Sequence, residues 1–565
     1  MGSDLVRGRG LLRDTIGILV RLTPTASTAR CTLLAGLAVV VFAFLPGFPF
    51  RLEQYDLPKD IALGVLGSVS ALHLLASRDA DRGDHIGFTL AAFLGWGLIA
   101  ALLVSENGVA AWRTMGIFAA AAAVFLVARF AGRFGASAAV FQGTLLIIGL
   151  MCALVLLEAY GGIPFLSAPG RRPGATLGNR NLVARLACMA LPLLWIRLLD
   201  VDRRATRYAL LAALSSALAV IVLSRSRGAL LVTCGLAALL PAITRWGAPA
   251  ETCRRWRAAA IAWFAALTLG STAAVILPNR LGWTVSDFIS SASRVAEYQT
   301  GTGRGRAIQA ATTWRMIRAH PLWGVGPGNW SVTYPAYASQ DDPSVVLGAF
   351  YPGPQNPRSD LLPIVSEWGI VGSSLGMVLL LVLGRRIVGL LVSRHEGARL
   401  SGELVLGVVL AATTLGLFDS VLRVAPTVVL LAILAGLSLG HGEALAGLVR
   451  SHAAGGPRYL WAAASAVFAF LSVSFARNAT QDLRALRIIN SFVSTKDLAR
   501  AVRVAPNNVE ARALLSYVLV SMDRCDLARP HLQRAAQLQP LSLFFRTLQA
   551  RCARMPELGE GGLPR

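Results

Sequence analysis

The chain has 565 residues, 55% of them hydrophobic and only 15% charged, with a mean hydropathy of +0.58. That balance argues against a string of soluble domains and for a polytopic helical membrane protein of all-α class. The formal charge of +24 does not mark a nucleic-acid binder: it is carried almost wholly by Arg, with Lys only at Lys59 and Lys496, and it is scattered over short loops rather than gathered in a basic domain.

In chain order, residues 1–30 read as a basic N-terminus held in the cytoplasm, because Arg7, Arg9, Arg13, Arg21 and Arg30 precede the first apolar run and no small-residue cleavage site follows it. A bilayer needs about 20 apolar residues per helix, and about 12–13 runs come near that length. They are 31–50, 60–77, 86–104, 110–129, 137–160, 181–199, 207–224, 227–244 and 258–277, then 369–392, 400–418, 425–440 and 459–476. The expected division is a first transmembrane part at 31–277, a long periplasmic loop at 278–368, a second transmembrane part at 369–476 and a periplasmic helical tail at 477–565. Orientation rests on the short loops. Arg203, Arg204 and Arg207, then Arg245, Arg254, Arg255 and Arg257, then Arg385, Arg386, Arg394 and Arg399 all fall on one side, which is the cytoplasmic side by the positive-inside rule.

Two short loops on the opposite side carry Arg nonetheless: Arg171-Arg172-Pro173-Gly174-Ala175-Thr176-Leu177-Gly178-Asn179-Arg180 and Ser224-Arg225-Ser226-Arg227-Gly228. Arg at a membrane boundary is costly unless it snorkels or pairs, so these serve either as interface anchors or as ligands for an anionic head group such as a lipid diphosphate. The long loop holds Arg304-Gly305-Arg306 and His320-Pro321-Leu322-Trp323-Gly324-Val325-Gly326-Pro327-Gly328-Asn329. Further on come Arg358-Ser359-Asp360-Leu361 and Glu367-Trp368-Gly369. Gly324, Gly326 and Gly328 suit tight turns, Asp360 suits a helix cap, and Trp368 suits a membrane interface. In the tail, Ala501 to Pro506 and Ala535 to Pro540 repeat at a spacing of 34, the tetratricopeptide period, with Leu515, Leu519, Ala528 and Leu532 between them. Seven cysteines include no CxxC and no metal-ligand spacing; Cys525 and Cys552 are free to pair if the tail is outside the cytoplasm.

Taken together, these pieces resemble the O-antigen ligase and polymerase family of bacterial membrane glycosyltransferases. The matching segments are Gly178-Asn179-Arg180-Asn181-Leu182-Val183-Ala184, Ser226-Arg227-Gly228-Ala229, Gly305-Arg306 and His320 to Asn329. The last is the stretch from Ser359-Asp360-Leu361 to Glu367-Trp368-Gly369-Ile370-Val371-Gly372. The resemblance covers about residues 30–440 and implies a multi-pass protein of the bacterial inner membrane. It implies glycan transfer from an undecaprenyl-diphosphate carrier, with neither metal nor nucleotide-sugar cofactor. The acceptor would be lipid A core, a second glycan or a protein hydroxyl. By position, Arg227 and Arg306 match the family's diphosphate-binding arginines, with Arg304 a rival to Arg306 and with Arg180 and Arg358 as further anion ligands.

One departure bears on mechanism. Where the family commonly has His before Ser/Asn-Asp, this chain has Arg358, which cannot accept a proton near neutral pH. The expected catalytic bases are then Asp360 or Glu367; His320 is the weaker substitute. The expected partners are membrane lipids, the lipid-linked glycan, its acceptor and, through the tail, envelope polysaccharide-assembly proteins. The alternatives are a protein O-oligosaccharyltransferase, a scaffold that has lost the chemistry, and a solute transporter, which should instead place its polarity within paired, interrupted spans.

Overall fold

The computed structural model describes residues 25–46, 51–77, 85–246, 250–293, 301–448, 458–491 and 493–554. Among the described residues there are 20 α-helices and no strand, and twelve of the helices are long and apolar enough to cross a membrane. The all-α, polytopic expectation holds. Much of the basic N-terminus and parts of several loops lie outside the described residues.

The first half comprises α1 (Ala26–Phe42), α2 (Glu53–Ala76), α3 (His85–Leu103), α4 (Gly108–Arg133) and α5 (Ser137–Tyr160), then α6 (Arg180–Leu199), α7 (Arg204–Ser224), α8 (Arg227–Trp246) and α9 (Ala250–Ile276). Their boundaries follow local chemistry. Asn107 caps α4 by accepting from the Val109 and Ala110 amides, Asn179 caps α6, and Gly161 ends α5 in the left-handed conformation. The first apolar run begins and ends earlier than its sequence boundaries, and α1 is only 17 residues long.

The expected long loop is not irregular. It contains α10 (Val285–Ser293), α11 (Gly301–Ala319) and α12 (Trp330–Tyr337) before the chain re-enters the bundle as α13 (Leu361–Leu391). Gly369 breaks α13 with φ 61° and ψ −171°, and a Cβ there would lie 2.2 Å from the Leu322 carbonyl oxygen, so the break seats the His320–Gly328 turn against the helix. Gly324, Gly326 and Gly328 all have positive φ, as their turn reading requires. Trp368 is not interfacial: it is fully buried, stacked on Phe93 at 4.3 Å.

The bundle closes with α14 (Glu396–Phe418), α15 (Ala425–Leu445) and α16 (Arg458–Asn490). The α4–α15 seam is made of small residues. A Cβ on Gly440 would stand 2.0 Å from the Arg129 carbonyl oxygen, so the two backbones touch. At that end of the bundle Glu443 receives four N–H bonds, two each from Arg129 and Arg133, at 2.5–3.0 Å.

The expected end of the last span, 476, falls inside α16, which runs unbroken for 33 residues and carries the chain into the tail. The tail is α17 (Thr495–Val504), α18 (Val509–Ser521), α19 (Cys525–Leu538) and α20 (Leu543–Arg554), packed in sequence around a core that includes Ala501, Leu515, Ala528, Leu532 and Phe545. Cys525 and Cys552 form a disulfide between α19 and α20. The tail rests on the long loop and on two interhelical turns. Leu543 N donates to Leu347 O at 2.8 Å, Asn107 Nδ2 to Leu538 O at 2.8 Å, and Arg51 pairs with Glu510 at 2.7 Å. Loop, tail and the two Arg-bearing short turns therefore share one end of the bundle.

Candidate functional site

The site begins with two helix N-termini. Before α6, Glu158 gathers the backbone by accepting from Leu166 N, Ser167 N, Ser167 Oγ and Ala175 N. This folds the chain so that Gly178, at φ 67°, presses on the Tyr55 ring and Arg180 opens the helix. Between α7 and α8 there are only two residues. Arg225 adopts a left-handed conformation (φ 53°), and Arg227 is the first residue of α8. Arg180 and Arg225 both lie over the Trp283 ring, 5.4 and 5.2 Å from its centroid, and Arg225 Nε donates to Ser291 Oγ at 2.7 Å.

These elements enclose a cavity of about 260 Å³. Arg180, Arg185, Arg225, Arg227 and Arg306 line it, against one carboxylate, Asp419. Arg185 is buried, donates to the Ser420 carbonyl and pairs with Asp419 at 2.9 Å. A second cavity, about 390 Å³, shares Asn181, Arg185, Arg306, Phe418 and Asp419 with the first, so the two adjoin. Its wall adds Asp56, Lys59, Asp60, Arg113, Arg358 and Arg423. An excess of guanidinium groups around open space, at the positive ends of two helices, is electrostatically suited to an anion.

The structure brings together Arg180, Arg227, Arg306 and Arg358 from the residues picked out in the sequence. It separates Arg304, which is exposed and lines neither cavity. Arg358 packs on Gly305: a Cβ there would come within 2.6 Å of its Nη1. The two segments that carry Arg306 and Arg358 are thus in contact.

Asp360 and Glu367, the expected bases, stand elsewhere. Glu367 is fully buried and bidentate with Arg423 at 2.8 and 3.0 Å, and its Oε1 also accepts from Trp330 N. Asp360 makes no side-chain cap to α13; its Oδ2 accepts from Val421 N at 2.6 Å and Leu422 N at 3.0 Å, which fixes the α14–α15 turn. Burial pushes the Asp360 carboxyl up to about 6, against the pull of those two amides. Neither residue lines either cavity, and both have the geometry of clamps rather than of groups facing a substrate. His320 bonds Tyr337 Oη at 2.9 Å and lines a different cavity, beside Glu106 and Trp323.

Sequence reasoning missed Asp56, Asp60, Arg113, Arg185, Asp419 and Arg423. A signal was present for some: Arg185 sits inside an apolar run, and Asp56, Lys59 and Asp60 crowd the start of another, where ionisable residues are functional by default.

The model of the O-antigen ligase family matches residues 210–375. The matched stretch runs from α7 through the break in α13 and takes in Arg225, Arg227, Arg306 and Arg358. No curated protein matches the chain significantly.

Proposed function

From the O-antigen ligase domain that this chain carries over residues 210–375, a membrane glycan ligase or polymerase, we propose that it moves a glycan from an undecaprenyl-diphosphate carrier to a hydroxyl acceptor. The observation that carries this reading is the arginine-lined cavity at the N-termini of α6 and α8. Breaking a sugar–phosphate bond leaves growing negative charge on the diphosphate. Arg227 and Arg306, with Arg180 and Arg225 beside them, supply fixed positive charge where that charge develops. The reading needs neither a metal nor a nucleotide sugar, because guanidinium groups and helix termini do the neutralising.

The same reading sets the cavity end in the periplasm. Arg203, Arg204 and Arg207, Arg245, Arg255 and Arg257, and Arg394 and Arg399 lie at the other end, and the Cys525–Cys552 pair suits an oxidising compartment. The tail would then meet envelope polysaccharide-assembly proteins through tetratricopeptide-like helices. Reporter fusions at Ser339 and Pro540 test the orientation: cytoplasmic reporter activity at Ser339 overturns the site.

The deciding experiment is gene deletion with surface-glycan profiling, complemented by wild type or by Arg306→Ala. Single repeat units on the acceptor mean a polymerase, and long polymer retained on the carrier means a ligase. Unmodified proteins with intact glycans mean a protein O-oligosaccharyltransferase. Full complementation by Arg306→Ala rejects the donor site and leaves the scaffold reading.

A further inference from the structure

The inference that follows rests on the assignment of the arginine-lined cavity to the donor. What remains is the proton of the acceptor hydroxyl. Among the described residues three carboxylates line the two adjoining cavities: Asp56, Asp60 and Asp419. Two are committed. Asp60 Oδ2 lies 2.6 Å from Arg113 Nη2, and Asp419 Oδ2 lies 2.9 Å from Arg185 Nη2. The carboxylate of Asp56 makes no hydrogen bond or ion pair with the described residues. Lys59, one turn along α2, is held by three carbonyls, those of Ala43 (2.5 Å), Tyr55 (3.1 Å) and Thr176 (2.7 Å), so its ammonium fixes the wall rather than covering Asp56. Asn179, Asn181, Asn356 and Ser420 add amides and a hydroxyl to the same wall, the groups that bind a polyol.

We propose that the second cavity is the acceptor site, that it takes a carbohydrate hydroxyl, and that Asp56 is the base that receives its proton. The acceptor oxygen bonds to the anomeric carbon of the donor sugar. The bond from that carbon to the phosphate oxygen breaks, and its electron pair leaves on the diphosphate. The hydroxyl proton passes to an Asp56 carboxylate oxygen and is later released to water. Arg306 belongs to both cavities, so leaving group and acceptor meet at one residue. Arg113, Arg306 and Arg358 line the same cavity. Asp56 thereby takes over the task that Arg358, standing at the family's His position, cannot perform.

An acid in the first turn of α2 also stabilises the helix electrostatically, which would give Asp56 a purely structural role. The test separates the two. Full-length variants are expressed in a deletion strain, and surface glycan is measured per membrane copy. The same proteins, purified in detergent, are titrated with farnesyl diphosphate. In Asp56→Asn, transfer should fall by about 100-fold or more, as loss of a general base does, while farnesyl diphosphate affinity stays within about twofold. Asp56→Glu should recover part of the transfer. If the Asn variant does not accumulate, Asp56→Glu alone decides: it should slow transfer by about tenfold with diphosphate binding unchanged. Transfer within about threefold of wild type in Asp56→Asn, or in Asp56→Glu where that variant decides, overturns the proposal. So does loss of diphosphate binding in Asp56→Asn. Failure of the donor reading shows on other variants, as unchanged farnesyl diphosphate binding in Arg227→Ala and Arg306→Ala.

Discussion

Two clusters of charge stand at opposite ends of one bundle, and both are rich in Arg. At the closed end, both oxygens of Glu443 are occupied by N–H groups of Arg129 and Arg133, and Arg129 and Glu443 are each 1% exposed. At the open end, Arg180, Arg185, Arg225, Arg227 and Arg306 surround a cavity that adjoins a larger one. The difference lies less in net charge than in room. Guanidinium groups packed onto a carboxylate hold helices together, and guanidinium groups packed around a void leave room for a ligand.

The largest expected effect breaks the open end. Arg227→Ala and Arg306→Ala should each lower glycan transfer by about 100-fold or more, with the protein still in the membrane, because charge on the leaving diphosphate loses its partner. Lys should rescue poorly, since it lacks the two-pronged geometry. Surface-glycan quantification in a deletion strain checks this, and near-wild-type glycan in either Ala variant sinks that residue's role. The closed end should respond in the opposite currency. Glu443→Ala leaves the buried Arg129 and the partly buried Arg133 facing one another and should cost about 3–5 kcal/mol of stability. A lower thermal midpoint with unchanged transfer per folded molecule is expected. Lost transfer with an unchanged midpoint would place function at that end too.

The bundle was legible in the sequence because a span's signal is a run of about 20 residues, which no single substitution obscures. The arginines that line the first cavity were legible because a cation at a membrane boundary needs a reason. What could not be read is phase and partnership. Arg304 and Arg306 differ by two positions on α11, and two positions on a helix point to different faces; only the fold decides which faces the cavity. Glu367 looked like a base because its partner, Arg423, lies across a helix in sequence. Asp56 and Asp419 come from α2 and the end of α14, so their meeting is a property of packing alone.

A smaller effect sharpens the reading of Asp360 as a clamp. Its carboxyl belongs near 4 in the unfolded chain and is pushed up to about 6 by burial. The folded state therefore favours the protonated form. The contribution is full below pH about 4 and is lost as pH rises through about 6, a change of about 3 kcal/mol. Asp360→Asn keeps an oxygen for the Val421 and Leu422 amides and does not ionise. Its thermal midpoint should fall less than that of wild type between pH 4 and 7. Parallel curves for the two proteins would mean that Asp360 ionises normally in the fold.

The smallest effect probes the join between the two cavities. Arg358 is exposed and reaches the second cavity across Gly305, with Nη1 where a Cβ would stand. As an anion ligand at the rim it acts mainly through charge, so Arg358→Lys should reduce transfer by only about threefold to tenfold. Gly305→Ala should do about the same by displacing the guanidinium while leaving Arg306 in place, since the atom it meets is the end of a flexible side chain. Arg358→His is the sharper variant. It restores an imidazole where the resemblance expects one and removes a fixed cation from the rim. If Asp56 is the base, His at 358 adds nothing and transfer should drop further than with Lys, because the fixed charge is lost as well. A strong rise in transfer would instead mean that the loop position is the one facing the acceptor, and the comparison between the two cavity halves would have to be redrawn around residue 358.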